Sequence, residues 1–219
     1  VGDSLGSVLY NYSSTKKVTL TEMINHSKSV RMGVKKSLMV VDMPYKTYDT
    51  ISSTIKNVKK VLKETKCDAV KLEGGAKIIN QVKVLIKNKI PVLGHLGLLP
   101  QSNKGKFKSK GKTTREIKKL FSDALLLQKA GVFAIVLECV KTPIAKQITK
   151  DLNIPTIGIG SSVHCDGQVL VTDDLLGLNE TKIKFVKKFL NIKKYINLGL
   201  RKYASDVRSK KYPSKKHSY

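Results

Sequence analysis

The sequence predicts an α/β protein organised around a parallel β-sheet, and three observations lead there. Short β-rich runs alternate along the 219 residues with longer segments of helical period. Those β-rich runs are nearly continuously apolar, as strands covered on both faces must be. Ile90-Pro91 and Ile154-Pro155 stand where a chain leaves a helix and enters a strand.

In chain order, Val1 to Asp3 reads as the stub of a strand. Six fuller strands follow at Ser37 to Asp42, Ala69 to Glu73, Val92 to His95, Phe133 to Glu138, Thr156 to Gly160 and Gln168 to Thr172. Between them lie amphipathic helices. Ile51, Ile55, Val58 and Leu62 mark one apolar stripe, and Ile117, Leu120, Phe121, Ala124 and Leu125 mark another. Thr19 with Glu22, and Thr113 with Glu116, have the spacing of a capping box. Asn103 to Lys112, rich in Lys, Gly and Ser, reads as a flexible loop. No repeat or composition break marks a boundary, so the expectation is a single domain over residues 1–219, closing with a helix and tail over residues 193–219. Seven strand ends are one fewer than a closed eight-stranded barrel needs, and the first residue is a Val inside a strand end. The expected architecture is therefore a (βα)8 TIM barrel lacking its first βα unit and most of its second strand. An open doubly wound sheet competes with it, but Gly158-Ile159-Gly160 lacks the third glycine of a dinucleotide-binding turn.

Forty-two Lys and Arg against sixteen Asp and Glu give a formal charge of +26, with 41% hydrophobic residues, enough for a real core. Only Arg31, Arg115, Arg201 and Arg208 are arginines. The lysines are scattered as solvated faces would be, and they lack the bidentate fork that reads guanine, which argues against a nucleic-acid partner. No apolar run approaches the roughly 18 to 20 residues of a membrane span. Cys67, Cys139 and Cys165 are odd in number and form no CxxC. A soluble, cytoplasmic protein is expected.

In a parallel barrel the reactive groups stand at the C-terminal strand ends. There the sequence has Asp3-Ser4, Asp42, Lys71 with Glu73, His95, Glu138, and Asp166 with Asp173-Asp174 around the last strand. One acid at a strand end is ordinarily a helix N-cap. Asp3, Asp42, Glu73 and Glu138 on four strands would repel one another unless a cation or proton compensates. Magnesium fits such oxygen ligands, keeps waters, and leaves room for a chelating 2-oxo acid whose enolate it would stabilise. Lys71 alternates with Glu73, so both point to one face. It either neutralises the substrate carboxylate or pairs structurally with Glu73 or Asp42. Glu138 follows an apolar run that could lift its carboxyl toward general-base range. His95 is a further candidate for a substrate or carboxylate hydrogen bond, or a structural residue. No GxSxG, Walker loop or HExxH occurs.

Six segments carry a resemblance in the same order: Val1-Gly2-Asp3-Ser4-Leu5-Gly6, Asp42-Met43-Pro44-Tyr45, Val70-Lys71-Leu72-Glu73-Gly74-Gly75, Gly94-His95-Leu96-Gly97-Leu98, Leu137-Glu138-Cys139-Val140, and Cys165-Asp166-Gly167-Gln168 through Val171. Together they closely resemble the ketopantoate (3-methyl-2-oxobutanoate) hydroxymethyltransferase family. The resemblance implies a (βα)8 barrel of the phosphoenolpyruvate/pyruvate superfamily, assembled as a decamer. It also implies the first step of pantothenate and coenzyme A biosynthesis. There a hydroxymethyl unit passes from 5,10-methylenetetrahydrofolate to 3-methyl-2-oxobutanoate through a magnesium-stabilised enolate, giving 2-dehydropantoate. By position, Asp3, Asp42 and Glu73 match the magnesium site, Asp3, Ser4, Asp42 and Lys71 the oxo-acid contacts, and Glu138 the proton acceptor. The sequence departs from the family at Leu99, where Thr is usual before Pro-Gln, and at Ser162, where a glycine-rich turn is common. Two rival readings share part of the pattern: another superfamily enzyme working beside a magnesium-bound oxo acid without folate, and a basic nucleic-acid-binding barrel.

Overall fold

Six strands pair side by side in the order in which they occur along the chain, every pair parallel: β1 (Val40–Asp42), β2 (Ala69–Glu73), β3 (Val92–Gly97), β4 (Ala134–Glu138), β5 (Thr156–Ile159) and β6 (Gly167–Gln168). The structure, a computed structural model, describes residues 1–102, 108–180 and 182–219. It divides into two compact units, Val1–Val169 and Leu170–Tyr219.

In the first unit, parallel strands in sequence order require a crossover after each strand, and helices supply four of them. These are α3 (Ile51–Thr65), α4 (Ile79–Lys87), α5 (Thr114–Ala130) and α6 (Thr142–Asp151), preceded by α1 (Leu5–Val8) and α2 (Leu20–Gly33). The result is a half-barrel sheet with its helices on one face. Val1 sits beyond the β1 edge. Its N–H donates to the Val40 carbonyl at 2.5 Å and its carbonyl accepts from Asp42 N–H at 3.0 Å, the alternation of a parallel ladder, as the strand-stub reading expects.

Alternation along the strands divides the sheet into two faces. Val41, Val70, Leu72, Ile135 and Leu137 enter the core shared with Val58, Val61, Val82, Leu85, Leu127 and Ile148 of the helices. The residues between them, Asp42, Lys71, Glu73, His95 and Glu138, take the other face. Cross-strand register then sets neighbours: Asp42 lies beside Lys71, Glu73 beside His95, and Gly97 beside Glu138.

The helices begin where the sequence says they should. At Thr19 the full capping box forms, with Thr19 Oγ1 accepting from Glu22 N–H and Glu22 Oε2 accepting from Thr19 N–H. At Thr113 the threonine caps Glu116, while the Glu116 carboxylate also holds the N–H groups of Gly111 and Lys112. The expected stripe on α3 is rotated. Thr54, Val58, Val61 and Thr65 are buried and Ile51 is 47% exposed, because Thr54 and Thr65 satisfy their hydroxyls on the carbonyls of Thr50 and Val61. On α5, Leu125 is likewise exposed, and Leu127 and the acid Asp123 are buried instead. Of the loop expected at Asn103 to Lys112, residues 103–107 lie outside the described residues, and Lys110 bridges to Val140.

In the second unit, α7 (Thr172–Leu175) opens with Asp173 and Asp174 in its first turn, and α8 (Ile192–Arg208) is capped by Asn191. The last strand is thus shorter than the expected Gln168 to Thr172. Two acids after Thr172 favour a helix N-terminus, whose dipole attracts them, over a fifth strand residue. Among the described residues no helix is long and apolar enough to cross a membrane, and all three cysteines are buried free thiols.

Candidate active site

The side chains of the site come from the C-terminal parts of strands β1 to β4 of the first unit, with Asp3 and Ser4 added from the segment beside β1, so the parallel register does most of the assembling. Lys71 Nζ lies 3.3 Å from Asp42 Oδ2 and 3.8 Å from Glu73 Oε1. His95 Nδ1 faces Lys71 Nζ at 3.3 Å and Glu73 Oε1 at 3.4 Å. On its other side His95 Nε2 lies 3.1 Å from Glu138 Oε2, an ion-pair distance that falls short of hydrogen-bond alignment. Asp3 joins from the segment beside β1, its N–H donating to Asp42 Oδ2 at 3.1 Å. Ser4 begins α1 with its hydroxyl capping nothing.

Asp3, Asp42, Glu73 and His95 are all under 8% exposed, so their charges are decided by one another. Burial, and then the charge of Asp42, push the Asp3 carboxyl up to about 7, against the pull of Lys71 and Gln101. Glu73 goes the other way. Its burial is outweighed by His95, Lys71 and the Gln101 N–H, which hold it below the ordinary range. Burial opposes the Lys71 charge, but Asp42, Glu73 and Asp3 together keep it firmly protonated. For His95, burial and Lys71 are overcome by Glu138 and Glu73, so it titrates above an ordinary histidine. Burial and the neighbouring Glu138 raise the Cys139 thiol to about 11, which removes it as a nucleophile at neutral pH.

Four carboxylates therefore lie about one lysine and one histidine. Among the described residues, no three His, Cys, Asp or Glu side chains already converge as a metal cage; Lys71 occupies the space between Asp42 and Glu73. The donors nonetheless suit a small hard cation, because magnesium takes one or two carboxylates and completes its shell with water and substrate. Asp3, Asp42 and Glu73 are the residues able to hold it.

Two glycines keep the strand ends close. Gly97 has φ +98°, and a Cβ there would stand 2.1 Å from the Glu138 carbonyl oxygen. Gly75 leaves room for Asp123, whose Oδ1 accepts from Ala76 N–H at 3.0 Å and so fixes the turn after Glu73. A cavity of about 440 Å³ adjoins the cluster, sharing Glu73 and Gln101 with it and walled by Tyr45, Tyr48, Leu96 and Leu98.

The other acids expected near the last strand are placed differently. Asp166 Oδ2 accepts from Thr156 N–H at 2.8 Å, tying β6 to β5. Asp173 and Asp174 belong to α7 of the second unit. His26 and His217 make exposed contacts with Tyr10 and Ser214. Sequence reasoning missed Gln101 and Tyr48, both buried in the cluster. They sit in loops, where no periodicity points inward, and only Gln101's place in the Leu99-Pro100-Gln101 stretch that follows β3 was a signal.

The model of the ketopantoate hydroxymethyltransferase family matches residues 1–215. The chain belongs to this family. Among curated ketopantoate hydroxymethyltransferases, it is 64% identical to the 3-methyl-2-oxobutanoate hydroxymethyltransferase of Pelagibacter ubique (strain HTCC1062), over the whole chain and 85% of that protein. It is 47% identical to the enzyme of that name from Acetivibrio thermocellus, over the whole chain and 79% of the relative. Like these family members it is a transferase enzyme. Solved structures of similar fold include 2,3-dimethylmalate lyase, a member of the PEP mutase/isocitrate lyase superfamily, with a TM-score of 0.54 and 11% identity over 100% of this chain and 77% of the other. Oxaloacetate acetylhydrolase in complex with oxalate gives a TM-score of 0.56 at 9% identity, over 95% and 83%. At such identities the likeness concerns the fold.

Proposed function

We propose that this chain transfers a hydroxymethyl group from 5,10-methylenetetrahydrofolate to 3-methyl-2-oxobutanoate, yielding 2-dehydropantoate and tetrahydrofolate in pantothenate and coenzyme A biosynthesis. The observation that carries the reading is the convergence of Asp3, Asp42, Lys71, Glu73 and Glu138 on one face of the sheet, in a family whose relatives bear that name.

Asp3, Asp42 and Glu73 would hold magnesium. When bound, the ion would supply Lewis-acid stabilisation of the charge that develops on the oxo acid's carbonyl oxygen. Lys71, a permanent cation, offers its ammonium to the substrate carboxylate, and the Ser4 hydroxyl is free of any capping duty to join it. Glu138, at the least enclosed end of the cluster with 15% of its side chain exposed, takes the proton from C3 of the substrate. His95, with Nε2 3.1 Å from Glu138 Oε2, supports the charge of that carboxylate. The carbon freed of its proton then bonds to the folate-borne one-carbon unit; both of that unit's carbon–nitrogen bonds to folate break, water supplies the hydroxyl, and the proton taken from C3 and the one released by water end on the two folate nitrogens.

The same reading includes the (βα)8 barrel architecture of the phosphoenolpyruvate/pyruvate superfamily, supported by six parallel strands in chain order and by the ladder bonds of Val1. It also includes a cytoplasmic homo-oligomer, a decamer by family resemblance, which light scattering on the purified protein tests. The chemical test is Glu138→Gln. Exchange of the substrate C3 proton into deuterated water should fall by about 10²-fold or more, with oxo-acid binding retained. Unchanged exchange removes Glu138 from the base role. Omitting methylenetetrahydrofolate should abolish product but not exchange.

A further inference from the structure

Gln101 lies in the connection between β3 and α5, is 2% exposed, and carries no charge, yet it touches two of the three carboxylates assigned to the cation. Its Nε2 donates to Asp3 Oδ2 at 2.8 Å and to the Met43 carbonyl at 2.9 Å. Its backbone N–H donates to Glu73 Oε2 at 3.1 Å. Its Oε1 accepts from the Tyr48 hydroxyl at 2.6 Å, and the Tyr48 oxygen accepts in turn from Glu73 N–H at 3.4 Å.

The direction of every bond in this set is forced. Met43 O can only accept, so the Gln101 amide has one orientation and its oxygen must face Tyr48. Glu73 N–H can only donate, so the Tyr48 proton must point at Gln101. The bonds form a closed circuit, from Glu73 N–H through Tyr48 and Gln101 back to Glu73 Oε2, with an arm reaching Asp3. Gln101 thus ties up one oxygen of Asp3 and one of Glu73, residues on different elements 98 and 28 positions away from it.

We propose that Gln101, braced by Tyr48, is a positioning residue: it sets the Asp3 and Glu73 carboxylates against each other and selects which of their oxygens face a ligand. This rests on the assignment of Asp3 and Glu73 above. Partners that orient a metal's ligands characteristically change affinity by about 10 to 100-fold when removed.

The test uses Gln101→Met, which keeps the length, loses the Nε2 donor to Asp3 and Met43 and the Oε1 acceptor for Tyr48, and retains the backbone N–H on Glu73 Oε2. Mn²⁺ affinity is measured by water-proton relaxation, and KM and kcat for 3-methyl-2-oxobutanoate are measured beside it. Mn²⁺ binding should weaken about 10 to 100-fold and KM should rise. Tyr48→Phe should move both constants the same way by less, and the double variant should be no worse than Gln101→Met, because Tyr48 acts through Gln101. A variant that melts earlier but binds Mn²⁺ and the oxo acid like the wild type overturns the proposal. If wild-type protein binds no Mn²⁺, the cation assignment fails, and the oxo-acid KM still judges Gln101: raised supports positioning, unchanged overturns it. If Gln101→Met does not fold, Tyr48→Phe decides by the same constants.

Discussion

Lys71→Met removes the one ammonium within the carboxylate cluster and leaves its apolar stem in place. At 3.3 Å from Asp42 Oδ2, the Lys71 charge interacts with about 5 kcal/mol of gross Coulomb energy at an effective dielectric of about 20. Desolvation takes back much of that. What the variant feels is the cost of leaving buried carboxylates without their partner, about 3–5 kcal/mol. For a chain of this length each kcal/mol shifts the melting temperature by roughly 2–4 °C, so Tm should fall by about 10 °C in metal-free buffer at pH 8. Protonating the carboxylates relieves their repulsion, so the deficit should shrink toward pH 5. Differential scanning calorimetry with a chelator present at both pH values measures it. Lys28→Met is the control: the Lys28–Glu64 pair is 2.7 Å long but 48% and 31% exposed, and such pairs contribute about 0–1 kcal/mol. A Lys71→Met deficit equal to that of Lys28→Met, or independent of pH, would refute the view that Lys71 discharges the cluster.

Two further outcomes follow from the same geometry. Asp3 binds its proton more tightly in the folded protein, at about 7 against 3.8. That contribution is whole below pH 4 and lost as pH rises through 7, an order of 4 kcal/mol in all. Urea unfolding without divalent cations should therefore show stability declining across that window, and added Mg²⁺ should stabilise more at pH 8 than at pH 5. Gly97→Ala must fit a Cβ against the Glu138 carbonyl at positive φ. A loss of about 3 kcal/mol or more, with turnover lost ahead of global unfolding, is expected from thermal melts and assays; near-wild-type activity would contradict the close approach of β3 and β4.

Much of this was legible in the residues. The period-two spacing of Lys71 and Glu73 on β2, and the apolar runs ending in Asp42 and Glu138, were enough to bring the acids to one end, because parallel strands leave little choice of where their ends point. What was not legible depended on tertiary partners. Strand β1 starts at Val40 rather than Ser37, and Met39 N–H is taken by Asp68 Oδ2 at 2.7 Å. Thr54 and Thr65 count as polar in a helical stripe, yet they are buried because each bonds its own helix. Asp123 is an acid on an amphipathic helix and reads as solvated; only the missing Cβ of Gly75 makes room for it inside. Gln101 and Tyr48 answer to groups far away in sequence, which no local pattern records.

The strand-by-strand origin of the cluster also says when the site can come into being. Asp42, Lys71, His95 and Glu138 are delivered by separate neighbours in the sheet, and a slip of one residue in any strand would turn its side chain into the helix layer. During synthesis, the groups proposed to bind the oxo acid and take its proton are not brought together until β4 has left the ribosome and docked on β3. Emergence of activity in a nascent chain is therefore a readout of sheet registration itself, arriving in one step rather than growing strand by strand.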